Sequence, residues 1–539
     1  MEEAIMLDFK SRKPKKMFRR MSALGSVFVL AVPLVLISLP ASAATVKNLN
    51  WGLAYGPRTL FAPTNYSDVG NEVMSLIQGQ ILTTNPDGSI VPSVASSWKK
   101  VSETEYAYTI KKGIKFSDGS LLTIADVVYS LKMHLDPTVA SQEAALLSNV
   151  QSITSSGDVM TVKLKTADSM WKYLPATLVG FVWKKAHVEA NLANYGTPKV
   201  LPIGSGPYKV KEYTPDSRLI LVRNKFYTGP KTQFDQITFR VIPDAQTLQL
   251  AMIGGQIDGT FSVPSASFLQ WKSVFSVTPV SNLVFRGLTL DMTQAPFDDI
   301  HVRRALYYAT NSSAIVTGLT PGLGRPSTTI NDPNIFKGVL DAATIKAGYS
   351  SIATYPFSIE KAKAELALSS VPNGFETTMN VPADSATIGK ISQVLVQDFA
   401  KIGVTLKLNS MPGGPRFQVI LDHAPNLGIQ IIGNKPDGPD PTQMAFLYFH
   451  SSQAAVNGNN SSNYRNPKVD ALIEKAQQAK DVKVGAKLVL EAQTLAAQDI
   501  PIIPILWGDS AIAVKDSWSA IAPGAFFDTS LWVNLIKTN

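Results

Sequence analysis

The hydrophobic positions of this chain switch repeatedly between a period of two and a period near 3.6, the signatures of strands and of amphipathic helices. Residues 47–55 read as a short strand, and 71–80 as a helix with Val73, Leu76 and Ile77 on one face. Asn85, Pro86, Asp87 and Gly88 form a turn signal between Ile81-Leu82 and Ile90-Val91. Residues 106–110 alternate as a strand, and the Ser117-Asp118-Gly119 turn precedes a helix over 123–134. Thr123 and Asp126 have the spacing of a capping box. Further on, 218–223 and 236–241 alternate as strands, and 244–254 reads as a helix ended by Gly254-Gly255. Long helical patterns cover 302–309, 359–368, 388–401, 467–478 and 484–498. Residues 500–507 are apolar enough for a buried strand, but Pro501 and Pro504 lack ladder donors and predict an edge or an entry. The mixture predicts α/β or α+β lobes on mixed sheets.

The first 43 residues follow a different rule. Lys10, Arg12, Lys13, Lys15, Lys16, Arg19 and Arg20 precede an apolar run over 23–39, and Ala41-Ser42-Ala43 supplies small residues for a signal peptidase. This order is that of a secretory signal cleaved near Ala43. An uncleaved anchor is the competing reading, opposed by Pro33 and the Ala-Ser-Ala site. Removing the leader changes the charge. The whole chain has 50 basic and 41 acidic residues, net +9; without seven basic and three acidic leader residues the net is +5. That remainder is dispersed, which argues against a nucleic-acid partner. The chain has no cysteine, hence no disulfides and no lipobox. A soluble periplasmic protein, not a lipoprotein, is expected. At 539 residues the chain is too long for one core.

Six segments carry a family resemblance. They are residues 90–98, ending in Trp98; 108–119, ending in Phe116-Ser117-Asp118-Gly119; 125–131, beginning Ala125-Asp126-Val127; Gly204-Ser205-Gly206-Pro207-Tyr208; Phe297-Asp298-Asp299 with 302–306; and 463–470. Together, in this order, they resemble the peptide/nickel-type (family 5) extracellular solute-binding proteins of ABC importers. Gly113 and Gly119 suit turns of positive φ. Trp98, Phe116 and Tyr129 read as core, so the signature identifies a scaffold rather than a ligand.

The resemblance implies an α/β, periplasmic binding protein-like fold of the large three-lobe type, with the ligand cleft between the first and third lobes. Lobe I would comprise 44–78, 206–285 and 508–539, lobe II 79–205 and lobe III 286–507. It also implies a monomer that captures a small solute, closes by a hinge, and is recognised by an inner-membrane ABC permease.

Ligand chemistry is expected at Asn434-Lys435-Pro436-Asp437-Gly438-Pro439-Asp440-Pro441. Matched to the corresponding loop of peptide binders, Asp437 takes the position of the acid that meets a ligand α-ammonium. A carboxylate suits this, because a charge-assisted bond to ammonium is strong. Asn434 stands where the family carries an aromatic residue. The arginine of dipeptide binders is absent over 383–394, where only Lys390 is basic. Arg416 and Lys435 are candidate substitutes, and Gly438 completes the loop. Asn65 and Tyr66, in the first-lobe loop that faces the cleft in this family, and Ser205, between two glycines near a lobe crossing, are further candidates.

An exported hydrolase is the reading from another class. No G-x-S-x-G, H-E-x-x-H or Walker pattern appears, and His134, His187, His301, His423 and His450 lack metal-ligand spacing. No catalytic residue, metal or cofactor is therefore assigned. The expected ligand is a peptide or peptide-like amine. A metal chelate, an opine or an oligosaccharide on the same scaffold is the alternative.

Overall fold

Two long strands set the architecture. Ser276–Leu290 and Ile502–Val514 run antiparallel, from Ser276 opposite Val514 to Thr289 opposite Ile502. A strand of fifteen residues extends about 50 Å, more than one core requires, and this pair serves several. At one end Val280, Ile512 and Val514 pack with Trp51, Phe239 and Trp532. At the other, Leu288, Leu290, Ile503 and Ile505 pack with Leu306, Leu395 and Phe399. Phe285, Ile502 and Trp507 face a further core containing Phe336, Tyr448 and Val489. Between the two ends the ladder slips between Val280 and Val284, and Leu283 adopts a φ of 58°.

The computed structural model describes residues 48–538 apart from Tyr66, Pro86, Asp87, Asp384 and Ala522. The leader expected over 1–43 and the candidate Tyr66 lie outside the described residues. No helix among the described residues is long and apolar enough to cross a membrane.

The long pair belongs to a nine-stranded sheet. Its order is Tyr208–Thr214, Arg218–Arg223, Gln236–Val241, Asn48–Leu53, Gly259–Thr260, Ile502–Val514, Ser276–Leu290 and Ile429–Asn434, with Gly324–Pro326 also on Ile502–Val514. Asn48–Leu53 pairs in parallel with both neighbours, and the other pairs are antiparallel. The prolines therefore mislead: the strand after Pro501 is internal, not an edge. Pro501 precedes its first paired residue. Pro504 stands opposite Gly287 where the register shifts between Arg286 and Gly287, a bulge that tolerates a missing donor.

A separate four-stranded sheet, in the order Ala95–Ser102, Glu105–Ile110, Val159–Leu164, Val150–Ser156, covers a core of Tyr108, Phe116 and Trp171. Against it lies the helix Ile124–Lys132. Its expected capping box is present, with Asp126 Oδ2 accepting from the Thr123 N–H at 2.9 Å. Asp126 Oδ1 also accepts from the Lys185 N–H at 2.9 Å, so one buried carboxylate caps the helix and fastens a distant segment. Trp98 and Tyr129 are only half-buried, whereas Phe116 is fully buried.

The helix expected over 71–80 forms as Asp68–Ile77. Ser67 Oγ accepts from the Gly70 N–H at 3.1 Å, a cap six residues before Val73, the first apolar position used to place the helix. This earlier start brings Asp68 and Glu72 onto the first turns of a helix that reaches the functional site.

Candidate functional site

The loop after the strand Ile429–Asn434 is fixed from both ends. Asp440 Oδ1 accepts from the Thr442 N–H at 2.8 Å, starting the helix Thr442–Phe449. Asn331 Nδ2 holds the Pro441 carbonyl at 2.8 Å. Gln443, in the first turn of that helix and buried, grips Asp437 twice. Its Oε1 accepts from the Asp437 N–H at 2.8 Å, and its Nε2 donates to Asp437 Oδ2. Oδ1 of Asp437 has no hydrogen-bond partner among the described residues. Gly438 packs against Tyr173; a Cβ there would stand 2.9 Å from the Tyr173 Cβ.

Lys435 turns the other way. Its Nζ lies 2.9 Å from Asp528 Oδ2 and 3.6 Å from Asp68 Oδ1, tying the loop to the C-terminal segment and to the helix Asp68–Ile77. Burial disfavours its charge, but Asp528 and Asp68 outweigh that and raise its pKa. Asn434 Oδ1 accepts from the Lys435 N–H at 2.8 Å. Desolvation raises the Asp437 pKa, and Asp528 and Asp68 add to the shift against the Gln443 hydrogen bond and Lys435.

The sequence reading missed four nearby groups. Glu72 is 4% exposed, and its Oε2 has no hydrogen-bond partner among the described residues. Desolvation, then Asp68 and Asp528, push its pKa well above the usual carboxylate range. Desolvation and Asp437 raise Glu143 to about 8. Asp528 completes the acids. Arg286, half-buried, makes no hydrogen bond or ion pair within 4 Å among the described residues, and Asp68 is the carboxylate acting on it. Its guanidinium lies over Gly433, where a Cβ would stand 2.7 Å from Nη1. A glycine inside the strand Ile429–Asn434, directly after Ile431-Ile432, was the available signal, since strand glycines mark close approach.

The remaining candidates divide. Asn65 is buried beside the Asp68 end of its helix, its Nδ2 donating to Ser67 O at 2.8 Å and Asn71 Oδ1 at 2.9 Å. Arg416 is buried, with Nε donating to Asn380 O at 2.7 Å and Nη2 to Ile431 O, so it braces two strands. Ser205 is buried against Gly79, past the other end of the helix Asp68–Ile77. Ten helical residues, about 15 Å, therefore separate Ser205 from the end where Lys435 meets Asp68. Among the described residues no group of three or more histidines or acids has the arrangement of a metal site.

The sequence pattern of the bacterial extracellular solute-binding proteins, family 5 (middle region), matches residues 89–456. The chain belongs to this family. The heme-binding protein A of Haemophilus influenzae is 25% identical over 486 residues, 84% of this chain and 85% of that protein. The glutathione-binding protein GsiB of Escherichia coli is 24% identical over 436 residues, 75% of this chain and 78% of that protein. Among solved structures, the periplasmic binding protein DppA of Helicobacter pylori, in complex with the peptide STSA, has a TM-score of 0.81 at 19% identity. The match covers 92% of this chain and 98% of that one. The fold is thus the α/β periplasmic binding protein-like fold of family 5 solute-binding proteins, as the resemblance implied.

Proposed function

We propose that this family 5 solute-binding protein captures a peptide or peptide-like amine and delivers it to the permease of an ABC importer. The observation that carries this reading is the Asp437 carboxylate. It is half-buried and oriented by Gln443, and one oxygen is left for a ligand. A partly desolvated carboxylate is costly without a cation, and Lys435 is already engaged by Asp528 and Asp68. Arg286, unpaired among the described residues on the neighbouring strand, offers a place for a ligand carboxylate. An ammonium at Asp437 and an acid at Arg286 are the two ends of a short peptide, and glutathione and opines also carry both groups.

On this reading the solute sits where 434–441 meets the helix Asp68–Ile77 and the turn near Asp528, between the first and third lobes of the division at 78, 205, 285 and 507. The slip between Val280 and Val284 lies near that boundary and suits a hinge. The mature protein is a periplasmic monomer without catalytic activity. A thermal-shift screen of residues 44–539 against free-amine peptides, their N-acetylated forms, opines, metal chelates and oligosaccharides tests this, because selective binding to the folded state raises Tm. Protection by free-amine peptides but not by their acetylated forms is expected. Protection only by chelates or sugars would discard the peptide reading.

A further inference from the structure

We propose that a pocket between the helix Ala342–Ser350 and Trp507 is a second ligand site, and that it takes a small amphipathic anion, an apolar body with one acidic head. The pocket has a volume of about 570 Å³, and every residue lining it falls within 328–350 or is Trp507. A cavity of that size is ordinary for a small-molecule site. None of its lining belongs to the 434–441 loop, the helix Asp68–Ile77 or the turn near Asp528. The site therefore stands apart from the peptide reading and does not depend on it.

The helix shows why the pocket exists. Ala342, Ile345 and Tyr349 stand at i, i+3 and i+7, the spacing of a face that normally packs down onto a core. Here not one of the nine helical residues is buried, and these three line the pocket instead. The helix is propped off the body at fixed points. Asp341 Oδ1 accepts from the Thr344 N–H at 2.8 Å and caps its start. Near its end Gly348 rests on Leu490, where a Cβ would stand 2.8 Å from Cδ1. The Tyr349 hydroxyl donates to Asn331 O at 2.6 Å, and its ring meets that of Trp507 at 70° with centroids 5.9 Å apart. On the facing wall Leu340 is buried, its N–H donating to Phe336 O at 2.9 Å. The walls are thus fixed by the protein itself, and a ligand need not order them.

The lining sorts into an apolar floor and a cationic rim. Trp507 and Leu340 are buried and Pro333 is half-buried, whereas Lys337 and Lys346 are exposed. Neither lysine makes an ion pair within 4 Å among the described residues, and the lining holds no acidic side chain. Arg325 does not add to the rim. It lies over the Trp507 ring at 5.8 Å, but its guanidinium bonds Asp332 and stands 3.6 Å from Asp509. Two unmatched cations beside an apolar floor favour an anion and oppose a cation, while burial of the apolar body supplies most of the affinity. Two lining residues also carry buried polar atoms, Trp507 Nε1 and Thr328 Oγ1, without a hydrogen-bond partner among the described residues. Such atoms are few in native proteins. Both can donate, so an oxygen in the buried end of the ligand is accommodated as well as carbon.

The experiment compares three probes that share one body and differ in the head: 6-phenylhexanoate, 6-phenylhexan-1-ol and 6-phenylhexylammonium. Each is titrated calorimetrically into residues 44–539 at pH 7 and low salt. The acid should bind about tenfold more tightly than the amine, with the alcohol between them, as two solvent-screened cations allow. Exchanging both lysines, Lys337→Glu with Lys346→Glu, should reverse that order. Both side chains are exposed, so Tm should stay within a few degrees of wild type. Ala342→Trp, at an exposed position of the pocket wall, should weaken all three probes about tenfold or more by filling the site. Arg286→Ala removes the cation offered to a peptide carboxylate and should leave the acid probe unaffected, and saturating tri-alanine should not displace it. Absence of binding by all three probes, or equal binding of acid and amine, would overturn the proposal. So would a preference that survives the lysine exchange, or binding that Ala342→Trp leaves intact. Loss of the acid probe in Arg286→Ala would place it at the peptide site and also overturn the proposal. A wild type that binds the acid probe in this way but not tri-alanine would support the pocket and sink the peptide reading alone.

Discussion

Lys435 Nζ and Asp528 Oδ2 lie 2.9 Å apart, joining residues 93 positions distant, with only 15% and 6% of their side chains exposed. Asp68, from the opposite end of the sequence, stands 3.6 Å from the same nitrogen. Three separate stretches thus meet at one ammonium, beside the carboxylate assigned to the ligand. Lys435 serves to hold this junction together; its charge is already matched and it has little left for a solute.

Breaking one side of so buried a pair leaves the other charge uncompensated. Lys435→Met should cost about 3 kcal/mol in chemical denaturation, and Asp528→Asn a similar amount. The double variant should recover part of the loss, because neither stranded charge remains. Strict additivity of the two losses would show that the pair is not coupled.

Arg286 and Gly433 make a second linked pair. Arg286→Ala should weaken tri-alanine about 10–100-fold, the range for a charge-assisted hydrogen bond, and should leave tri-alanine amide nearly unaffected. Gly433→Val places a Cβ where the end of the Arg286 side chain now lies. Since that end is flexible, folding stability should change little while the same carboxylate selectivity is lost. Equal weakening of acid and amide would remove Arg286 from the site.

Glu72 gives a pH signature that needs no ligand. Its carboxyl is raised by desolvation and by Asp68 and Asp528. Stability from its protonated form is present below the unfolded pKa near 4.5 and lost as pH rises through the higher folded value. Glu72→Gln should therefore be more stable than wild type at pH 8, by roughly 1–3 kcal/mol, the cost of a buried acceptor without a partner. The advantage should shrink towards pH 5. A gain that does not vary with pH would show that Glu72 does not titrate in this range.

What the sequence made legible was local. Thr123 and Asp126 announce their cap by spacing alone, and positive φ at Gly113 and Gly119 follows from their turns. The loop holding Asp437 was found through family resemblance; its own residues show only a Pro/Gly-rich turn with two acids. Pro504 misled because a missing donor normally marks an edge, and the bulge opposite Gly287 cannot be read from one strand. Arg416 and Arg286 are both arginines near apolar runs. Only the fold reveals that the first spends its nitrogens on strand carbonyls while the second lies over Gly433. Glu143 gave no signal at all. It lies in a run of small and apolar residues, and what distinguishes it is the burial that the fold imposes on its carboxyl.

The central claim is that Asp437 receives a ligand ammonium, and isothermal titration of Asp437→Asn with tri-alanine and N-acetyl-tri-alanine tests it most directly. Asparagine keeps the shape and can still bond Gln443, so the fold should persist. The account predicts that wild type binds tri-alanine at least tenfold more tightly than the acetylated peptide, and that Asp437→Asn loses this preference with a Tm within a few degrees of wild type. A folded Asp437→Asn that still distinguishes the two peptides as wild type does would contradict it.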